Sequence, residues 1–432
     1  MRICSTRDRA LTVSLSQAMQ QGLAPDGGLF VPAELPHIGL PRHGVTTLAG
    51  TARTLLAPFF EGDALAPRVP EIVAEAFTFP APLRRVQGDP ERLSVLELFH
   101  GPTAAFKDFG ARFLAACLAR IPGDGRPLTI LVATSGDTGG AVAAAFHGRP
   151  GVEVVVLYPA GLVSPLQERQ LTCWGGNVRS FAVQGSFDDC QRMVKQAFAD
   201  PELRTRLRLN SANSINIGRL LPQLCYFGAA ALRVWESEGR APGFLVPSGN
   251  LGQAVACVWA RAIGLPIGEI VLVHNANRTV PDFLADGEWR PRPSIATLAS
   301  AMDVGDPSNM ERLRFLFPDA AGMAGSLRAV SVSDSQIREC IRAEYAQTGL
   351  VLCPHSATAV HVYRSLDPGV RRETHWIAVA TAHAAKFAEI VAPLIGGTLT
   401  MPPALAELAT RPVAHEDLPA DFAALRARLG TT

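Results

Sequence analysis

The chain has 432 residues, of which 48% are hydrophobic and 18% charged, and this composition suits a folded protein and excludes a disordered one. Its length exceeds what one hydrophobic core usually fills, so we expect more than one domain. Forty Lys and Arg residues against 39 Asp and Glu leave a net charge of +1, which indicates neither a nucleic-acid partner nor a membrane surface.

The first ninety residues are interrupted by frequent prolines and predict an N-terminal accessory segment, residues 1–90. The start, MRICSTRDRA, lacks a signal-like apolar stretch, so we expect a cytoplasmic protein. The longest uncharged run, residues 241–260, contains Pro247, Gly249 and Asn250 and predicts no membrane span. Eight scattered cysteines without zinc-type spacing predict reduced thiols and no metal site.

The stretch HGPTAAFKDFG, residues 100–110, sets Lys107 between Phe106 and Phe109 before a predicted helix over 108–120. A lysine amine has a pKa of ~10.4 in water and is a poor nucleophile. Desolvation by the phenylalanines and the positive end of the helix dipole both favour the free amine. Such an amine can form a Schiff base with the aldehyde of pyridoxal phosphate. For Lys107 alone, a surface lysine with a solvated amine is the alternative.

Three later stretches repeat the order strand, turn, helix, which is typical of parallel strands with crossover helices. They read LTILVA–TSGDTGG–AVAAAF, GFLVP–SGNLG–QAVACVWARA and HWIAVA–TAHAAKF–AEIVAPLI. The loops at 134–139 and 248–252 offer hydroxyls and backbone amides to an anion at a helix N-terminus. Neither loop matches a P-loop or a dinucleotide fingerprint, and an ordinary capped turn is the alternative for each.

The segment NSANSINIGRLLPQ, residues 210–223, gathers polar side chains before an apolar helix. Asn213, Ser214, Asn216 and Arg219 are candidates for a polar site. A helix N-cap formed by Asn213 or Ser214 is the alternative interpretation. The run DVGDPSNMER, which contains Asp306, Ser308 and Asn309, is expected to have a structural role.

These elements predict an α/β fold with two lobes of mostly parallel sheet and a site between them. We expect the smaller lobe at 128–208 and the larger one at 91–127 and 209–400. Residues 401–432 predict a helical tail on the surface.

Five separated motifs together resemble those of the threonine synthase family over residues 5 to about 390. They are, in chain order, STR with QGLAPDGGLFVP, ELFHGPTAAFKDFGARF, ATSGDTGGAV, VPSGNLG and ATAHAAKF. The resemblance implies a fold-type-II pyridoxal-phosphate enzyme, similar in fold to the tryptophan synthase β chain. It also implies conversion of O-phospho-L-homoserine and water to L-threonine and phosphate.

The same resemblance implies a role for each matched residue. Lys107 would be the Schiff-base lysine and the base that moves protons. The cofactor phosphate and ring would be held by Ser248, Gly249, Asn250, Leu251, Gly252 and Thr381, and the substrate by Ser135, Gly136, Asp137, Thr138, Asn213, Ser214, Asn216 and Arg219. His100 and His383 stay outside the catalytic set, and Lys386 is expected to cap or pair at its helix. Leu251 replaces a phenylalanine common in the family.

Other functions remain open at this stage. A phospholyase of the same fold would release 2-oxobutyrate from the same substrate, and the motifs describe mainly the cofactor site. A non-catalytic ligand-binding relative is disfavoured by the intact Lys107 motif. For partners we expect a small-molecule substrate, no nucleic acid, no membrane, and either a monomer or a homodimer.

Overall fold

The computed structural model describes residues 1–39, 47–87, 92–123 and 125–430. Its strands are β1 (Ile3–Ser5), β2 (Thr12–Val13), β3 (Phe30–Pro32), β4 (Leu83–Arg85), β5 (Leu93–Glu97), β6 (Leu128–Ala133), β7 (Val152–Pro159), β8 (Val178–Gln184), β9 (Arg208–Asn210), β10 (Gly243–Pro247), β11 (Ile270–His274), β12 (Arg328–Ser331), β13 (Trp376–Ala380) and β14 (Glu416–Pro419).

The helices alternate with the strands along most of the chain. They are α1 (Leu15–Gln21), α2 (Leu48–Leu56), α3 (Val69–Ala76), α4 (Lys107–Leu118), α5 (Asp137–Phe146), α6 (Pro165–Thr172), α7 (Phe187–Ala199), α8 (Pro201–Arg206), α9 (Ile217–Leu220), α10 (Gln223–Glu238), α11 (Gly252–Ala262), α12 (Thr279–Asp286), α13 (Met310–Leu316), α14 (Ala320–Ala324), α15 (Asp334–Thr348), α16 (Pro354–Ser365), α17 (Pro368–Glu373), α18 (Ala388–Ile395), α19 (Pro403–Thr410) and α20 (Phe422–Arg428). Short 3-10 helices lie at Ala57–Phe60, Ala66–Arg68, Ser300–Met302 and Ala384–Phe387.

Two mostly parallel sheets form the frame of the molecule. The larger has the strand order β12-β11-β10-β13-β5-β4, and only the β4–β5 pair in it is antiparallel. The smaller has the order β14-β8-β7-β6-β9 and is parallel throughout. An antiparallel sheet, β2-β1-β3, lies at the N-terminus. The predicted α/β fold with two mostly parallel sheets and an N-terminal segment is confirmed.

The central strands are apolar because helices cover both of their faces. Every residue of β6, β10, β11 and β13 is buried, which is the pattern expected for parallel strands inside an α/β protein. Each of the three predicted strand–turn–helix units is present, as β6–α5, β10–α11 and β13–α18. The helix α5 begins at Asp137, inside the predicted loop 134–139. Among the described residues, no helix is long and apolar enough to cross a membrane.

The C-terminal tail, predicted as helical, contains two helices and also a strand. The strand β14 lies between α19 and α20 and pairs in parallel with β8, with Leu418 opposite Val183. Leu418 is buried in this strand while its neighbours are exposed, so the four residues gave no apolar pattern. The tail therefore extends the smaller sheet.

The predicted domain boundaries remain predictions. The boundary between residues 90 and 91 lies outside the described residues. On either side of it, β4 from the predicted accessory segment pairs with β5 of the larger sheet. The strand β9 extends two residues beyond the predicted end of the smaller lobe and pairs with β6.

Candidate active site

A cavity of about 180 Å³ lies where the turn before α4 and the loops after β6, β10 and β13 meet. Carboxyl ends of parallel strands are the usual place for a ligand site in such folds, because loops and helix N-termini converge there. The predicted site residues that line this cavity are Lys107, Ser135, Asp137, Thr138, Asn213, Ser214, Arg219, Ser248, Gly249, Asn250, Leu251, Gly252 and Thr381.

A rigid turn holds Lys107 at the first position of α4. The buried carboxylate of Asp108 accepts hydrogen bonds from the backbone amide of Thr103 at 2.9 Å and from its hydroxyl at 2.7 Å. The amide of Phe106 donates to the Thr381 carbonyl at 2.8 Å, which joins the turn to the loop after β13. Ala104 has a φ of +51°, a conformation that L-residues rarely adopt. The sequence GPTAAF thus forms a fixed platform for the lysine.

The pKa of the Lys107 amine lies close to physiological pH. Burial lowers its pKa to about 8, and the cations Arg219 and Lys386 act in the same direction. The carboxylate of Asp137 opposes them and keeps the pKa from falling further. The predicted desolvation of this lysine is present, and it makes the lysine a usable base and nucleophile.

An anion cradle lies at the N-terminus of α11. The backbone amides of Gly249, Asn250, Leu251 and Gly252 have no acceptor among the described residues. Leu251 takes the left-handed conformation, with φ at +59°, as it leads into the helix. A Cβ atom on Gly249 would lie 2.8 Å from the Cα atom of Met302, so the loop packs too closely there for any side chain. Four free amides at a helix N-terminus suit a phosphate group.

The side chain of Asn250 braces this cradle rather than facing a ligand. Its Nδ2 donates to the Ser214 hydroxyl at 2.8 Å, and its Oδ1 accepts from the Ser308 amide at 2.6 Å. The amide group of Asn309 donates to both the Asn250 carbonyl, at 2.9 Å, and the Ser214 hydroxyl, at 3.2 Å. The buried Arg312 in turn donates to the Ser214 carbonyl at 2.9 Å. Through these bonds, residues 308 and 309 support the cavity wall at Asn250 and Ser214.

Asp137 forms a buried ion pair with Lys386. Lys386 was not among the predicted site residues. The Lys386 Nζ lies 2.8 Å from the Asp137 carboxylate and also donates to the Thr103 carbonyl at 2.7 Å. Gln167 donates to the same carboxylate at 2.9 Å. Although burial raises the pKa of Asp137, Lys386 and Lys107 outweigh it and hold this pKa below its ordinary value. The carboxylate is therefore charged and engaged by the protein.

Arg219 supplies a second buried cation at the cavity wall. Its guanidinium donates to the carbonyls of Ala212 and, at 3.4 Å, Lys107, while its Nε has no partner among the described residues. Burial lowers its pKa to about 10, so it remains charged at neutral pH. Two further buried atoms at this wall, Asn213 Oδ1 and Gln253 Nε2, also lack partners in the described chain. Such buried groups require a ligand or water for their hydrogen bonds.

Two predicted site residues lie outside the cavity lining. Asn216 is fully buried, its Nδ2 donating to the carbonyls of Met19 and Ser211, while its Oδ1 caps α9 through the Gly218 amide at 3.0 Å. The helix cap, for which Asn213 or Ser214 was the alternative interpretation, is formed by Asn216. Gly136 has a φ of +137° and turns the chain into α5. Its amide donates to the Thr134 hydroxyl at 3.0 Å and is not free for a ligand.

Other cavity residues carried no recognisable signal in the sequence. His355 lines the wall, accepts a hydrogen bond from the Ala301 amide at 3.0 Å, and has a pKa lowered by burial to about 4. Asp303 lies at the rim, where burial raises its pKa to about 6. Lys386 did fall inside a motif, but its partner Asp137 is far away in the chain. Spacing alone could not reveal that pair.

The donor set fits pyridoxal phosphate. The aldehyde needs a partly desolvated amine, which Lys107 provides. The phosphate needs amides at a helix N-terminus, which residues 249–252 provide, with the Ser248 hydroxyl beside them. The pyridine nitrogen needs a hydrogen-bonding partner, and Thr381 lines the same cavity. Each chemical group of the cofactor thus has a counterpart among the residues present.

Family models match nearly the whole chain. One model, described as pyridoxal-phosphate dependent enzyme, matches residues 76–382. Two others, described as threonine synthase N terminus and threonine synthase C-terminal, match residues 2–77 and 356–428. A curated threonine synthase from Escherichia coli K12 is 44% identical over 431 residues, which cover 99% of this chain and 98% of that protein.

Solved structures agree with this likeness. The crystal structure of threonine synthase from Escherichia coli matches with a TM-score of 0.90 and 42% identity, covering 99% of both chains. A structure of pyridoxal-phosphate-bound threonine synthase from Brucella melitensis also matches with a TM-score of 0.90, at 34% identity and with 99% and 98% of the two chains covered. The similarity extends across both sheets and the N-terminal segment.

Proposed function

The chain belongs to the threonine synthase family of pyridoxal-phosphate-dependent enzymes, and we propose that it converts O-phospho-L-homoserine and water to L-threonine and phosphate through Lys107. It is a lyase with the function of a threonine synthase, and its cofactor is pyridoxal phosphate. One observation carries the assignment of roles: the desolvated amine of Lys107 shares a cavity with the free amides of residues 249–252. We place the enzyme in the cytoplasm, as a monomer or homodimer.

The cofactor would be held at its two ends by different parts of the larger sheet. Lys107 would hold the aldehyde, and the amides of residues 249–252 with the Ser248 hydroxyl would hold the phosphate. Thr381 would face the ring nitrogen, where a hydroxyl favours a less protonated ring than a carboxylate does. When bound, pyridoxal phosphate withdraws electrons and so acidifies the C–H bonds beside the substrate's amino group.

Lys107 would move the protons of the reaction. Its Nζ, with a pKa of about 8, exchanges readily between amine and ammonium near neutral pH. It would remove the proton from the α carbon of the substrate and then one from the β carbon. Loss of the second proton accompanies departure of the γ-phosphate. A proton is then delivered to the γ carbon, water adds at the β carbon, and the α carbon recovers a proton, which yields threonine. The fixed turn around Asp108 keeps this amine in place between the two transfers.

The two anionic groups of the substrate require separate partners. The hydroxyls of Ser135 and Thr138 are the groups we propose for the carboxylate, because the Asp137 side chain is occupied by Lys386. Arg219, whose charged side chain lines the cavity, would stabilise the departing phosphate, assisted by Asn213 and Ser214. Gly136 and Asn216 take no part in this proposal, since their polar groups are already used by the protein.

The test is a product balance with the reconstituted holoenzyme. O-Phospho-L-homoserine is supplied, and threonine, 2-oxobutyrate and phosphate are measured over time. We expect threonine to equal phosphate, and we expect Lys107→Ala to release neither, although its circular dichroism spectrum matches that of the wild type. Phosphate accompanied by 2-oxobutyrate would identify a phospholyase instead. Bound cofactor with no turnover would show that the substrate is wrong.

A further inference from the structure

Lysine is almost absent from this chain. Of its 40 basic residues, 37 are arginine and only three are lysine: Lys107, Lys195 and Lys386. Among the described residues, lysine forms one ion pair with an acidic residue, that of Lys386 with Asp137. The other ion pairs with Asp or Glu are made by arginine or histidine. The two cations differ, because lysine carries a compact, hydrated ammonium and arginine a planar guanidinium fork.

Two of the three lysines are already explained by the active site. Lys107 lines the cavity, and Lys386 forms the buried pair with Asp137. Lys195 is exposed on α7 of the smaller lobe and makes no ion pair or hydrogen bond with any residue that the structure describes. Lys195 is therefore the lysine whose role the active site does not explain.

Lys195 lines a second cavity, which we call the outer chamber. This chamber measures about 600 Å³ and is bounded by α7, by the loop around residues 306–308 and by α13. Its wall includes Ala133, Gln191, Asn213 and Asn250, which also line the catalytic cavity. The two cavities are therefore adjacent parts of one cleft, with the outer chamber on the side away from Lys107.

One face of α7 leads from the catalytic cavity to the outer chamber. Phe187 and Gln191 line the catalytic cavity, and Gln191 and Lys195 line the outer chamber. Residues four apart lie on the same face of a helix, and eight residues span about 12 Å along its axis. Lys195 thus lies two helical turns outward from Phe187, at the outer end of a path to the reacting centre.

The outer chamber holds other charged side chains besides Lys195. Arg7 pairs with Glu311 at 3.0 Å, so these two charges offset each other. Arg314 places its guanidinium over the ring of Trp289, 4.8 Å from the centroid. Asp306 adds a negative charge to the wall. Lys195 therefore adds an ammonium without an ion pair to this chamber, on the face of α7 that leads to the catalytic cavity.

We propose that Lys195 is an anion-docking residue of the outer chamber that receives the phosphate group of the incoming substrate and releases the phosphate product. This inference rests on the proposed function, since the substrate brings a phosphate group and leaves it behind. The ligand class is a phosphate monoester or inorganic phosphate. Docking at Lys195 increases the local concentration of the dianion before it moves inward to Arg219.

The choice of lysine over arginine follows from the need for release. An arginine fork binds phosphate through two parallel hydrogen bonds, which hold the anion in one geometry. The ammonium of lysine is a strongly hydrated point charge on a flexible stem, and it attracts the dianion without holding it in that way. A docking residue must let its ligand pass in both directions. Arginine at this position would retain the product phosphate and slow turnover.

The kinetic test compares Lys195→Gln and Lys195→Arg with the wild-type holoenzyme. Stopped-flow absorbance of the bound cofactor measures the rate constant for association of O-phospho-L-homoserine at several salt concentrations. We expect Lys195→Gln to lower this rate constant about three- to tenfold, weaken its salt dependence and leave kcat unchanged. We expect Lys195→Arg to keep fast association but to be inhibited by phosphate at several-fold lower concentrations.

Arg204→Gln is the matched control, because it removes one positive charge from an exposed site on α8 of the same lobe. This variant should leave the association rate constant and phosphate inhibition as in the wild type. If Lys195→Gln associates with substrate as fast as Arg204→Gln, the inference is overturned. Phosphate inhibition of Lys195→Arg at the wild-type concentration would overturn the argument for lysine.

Chemical labelling tests the docking site without turnover. Lys195 is the exposed lysine of the chain, whereas Lys386 is buried and Lys107 would be occupied by the cofactor. The holoenzyme is treated briefly with an amine-acylating reagent, with and without millimolar inorganic phosphate, and acylation of Lys195 is measured by peptide mass analysis relative to the terminal amine. We expect phosphate to protect Lys195, while chloride at equal ionic strength does not.

Equal labelling in phosphate and chloride would show that Lys195 binds no phosphate and would refute the proposal. Because this readout needs no substrate, it separates the two hypotheses. A protein that makes no threonine while phosphate protects Lys195 would contradict the proposed function alone. A protein that makes threonine with no protection and unchanged association would contradict the docking role alone.

Discussion

Replacing Lys386 with methionine tests the buried ion pair beside the catalytic lysine. Methionine fills similar space but leaves the Asp137 carboxylate buried without its cation. Both side chains of the pair are almost wholly inaccessible to solvent, at 0% and 4% exposure. Removing one partner from such a pair typically costs ~3–5 kcal/mol, because the remaining charge keeps its desolvation penalty. We expect about 3 kcal/mol, at the low end of that range, because Gln167 still donates to the carboxylate and Lys107 is nearby.

The cost should depend on pH in a defined direction. In the wild type the pKa of Asp137 is lowered, so its contribution to the free energy of unfolding is present above the ordinary aspartate pKa of about 3.9. That contribution is lost only as the pH falls through the lower folded-state pKa. Without Lys386, burial raises the folded-state pKa, and the carboxylate destabilises the fold as the pH rises through it. The deficit of the variant should therefore grow from about pH 5 to about pH 8.

Urea unfolding of the cofactor-free proteins at both pH values gives the free energy of unfolding without a contribution from bound ligand. Arg290→Met, which breaks an exposed pair with Glu288, is the control and should cause no measurable change. The double variant Asp137→Asn/Lys386→Met should recover part of the loss, since it removes the stranded charge. The reasoning fails if Lys386→Met is as stable as the control or if its deficit is the same at both pH values.

Four other predictions follow from single residues. Arg219→Ala should raise the KM for O-phospho-L-homoserine about tenfold or more, because a charged hydrogen bond to the substrate is lost. Arg219→Lys should raise the KM less, and an unchanged KM in Arg219→Ala would show that Arg219 does not bind the phosphate. Ala104→Gly should increase the free energy of unfolding by about 1 kcal/mol in urea titrations, because glycine adopts its positive φ without strain. Burial raises the pKa of Asp303 to about 6, so stability should fall as the pH rises through that value and Asp303→Asn should abolish this slope in thermal melts between pH 4 and 7. Gly249→Ala should weaken cofactor binding in equilibrium titrations, because its Cβ would lie 2.8 Å from a backbone atom, whereas Gly397→Ala, in open space, should not.

Local patterns were sufficient to predict the parts of the site that come from one stretch of chain. The loop at 248–252 follows a buried strand and precedes a helix, so its free amides could be expected from the order of residues alone. The position of Lys107 at the start of α4 was likewise expected from the residues around it, and the ring of Phe106 lies 5.8 Å from its amine. In both cases the physical cause lies within about ten residues of the group it affects.

Features that depend on distant parts of the chain were not predictable in this way. Asn216 has the composition of a site residue, but the carbonyl of Met19, 197 positions away, makes it structural. Lys386 reaches Asp137 only because the loops after β13 and β6 meet in the fold. The strand β14 has one buried residue, and its pairing with β8 supplies what its own sequence lacks. Each of these three features depends on a contact with a distant part of the chain, which local sequence patterns do not reveal.

The contacts around Lys386 also indicate which side of the cleft is fixed. On the smaller-lobe side, Gln170 donates to the Thr103 carbonyl at 3.0 Å, and the Ser164 hydroxyl donates to the Lys386 carbonyl at 3.2 Å. These bonds, with the Asp137 pair, join the smaller sheet to the platform that holds Lys107. Buried bonds of this kind resist separation, whereas the charged walls of the outer chamber are hydrated and separate at low cost. Opening of the cleft should therefore pivot near Lys386 and be widest at the outer chamber, which keeps the catalytic lysine stationary while substrate passes.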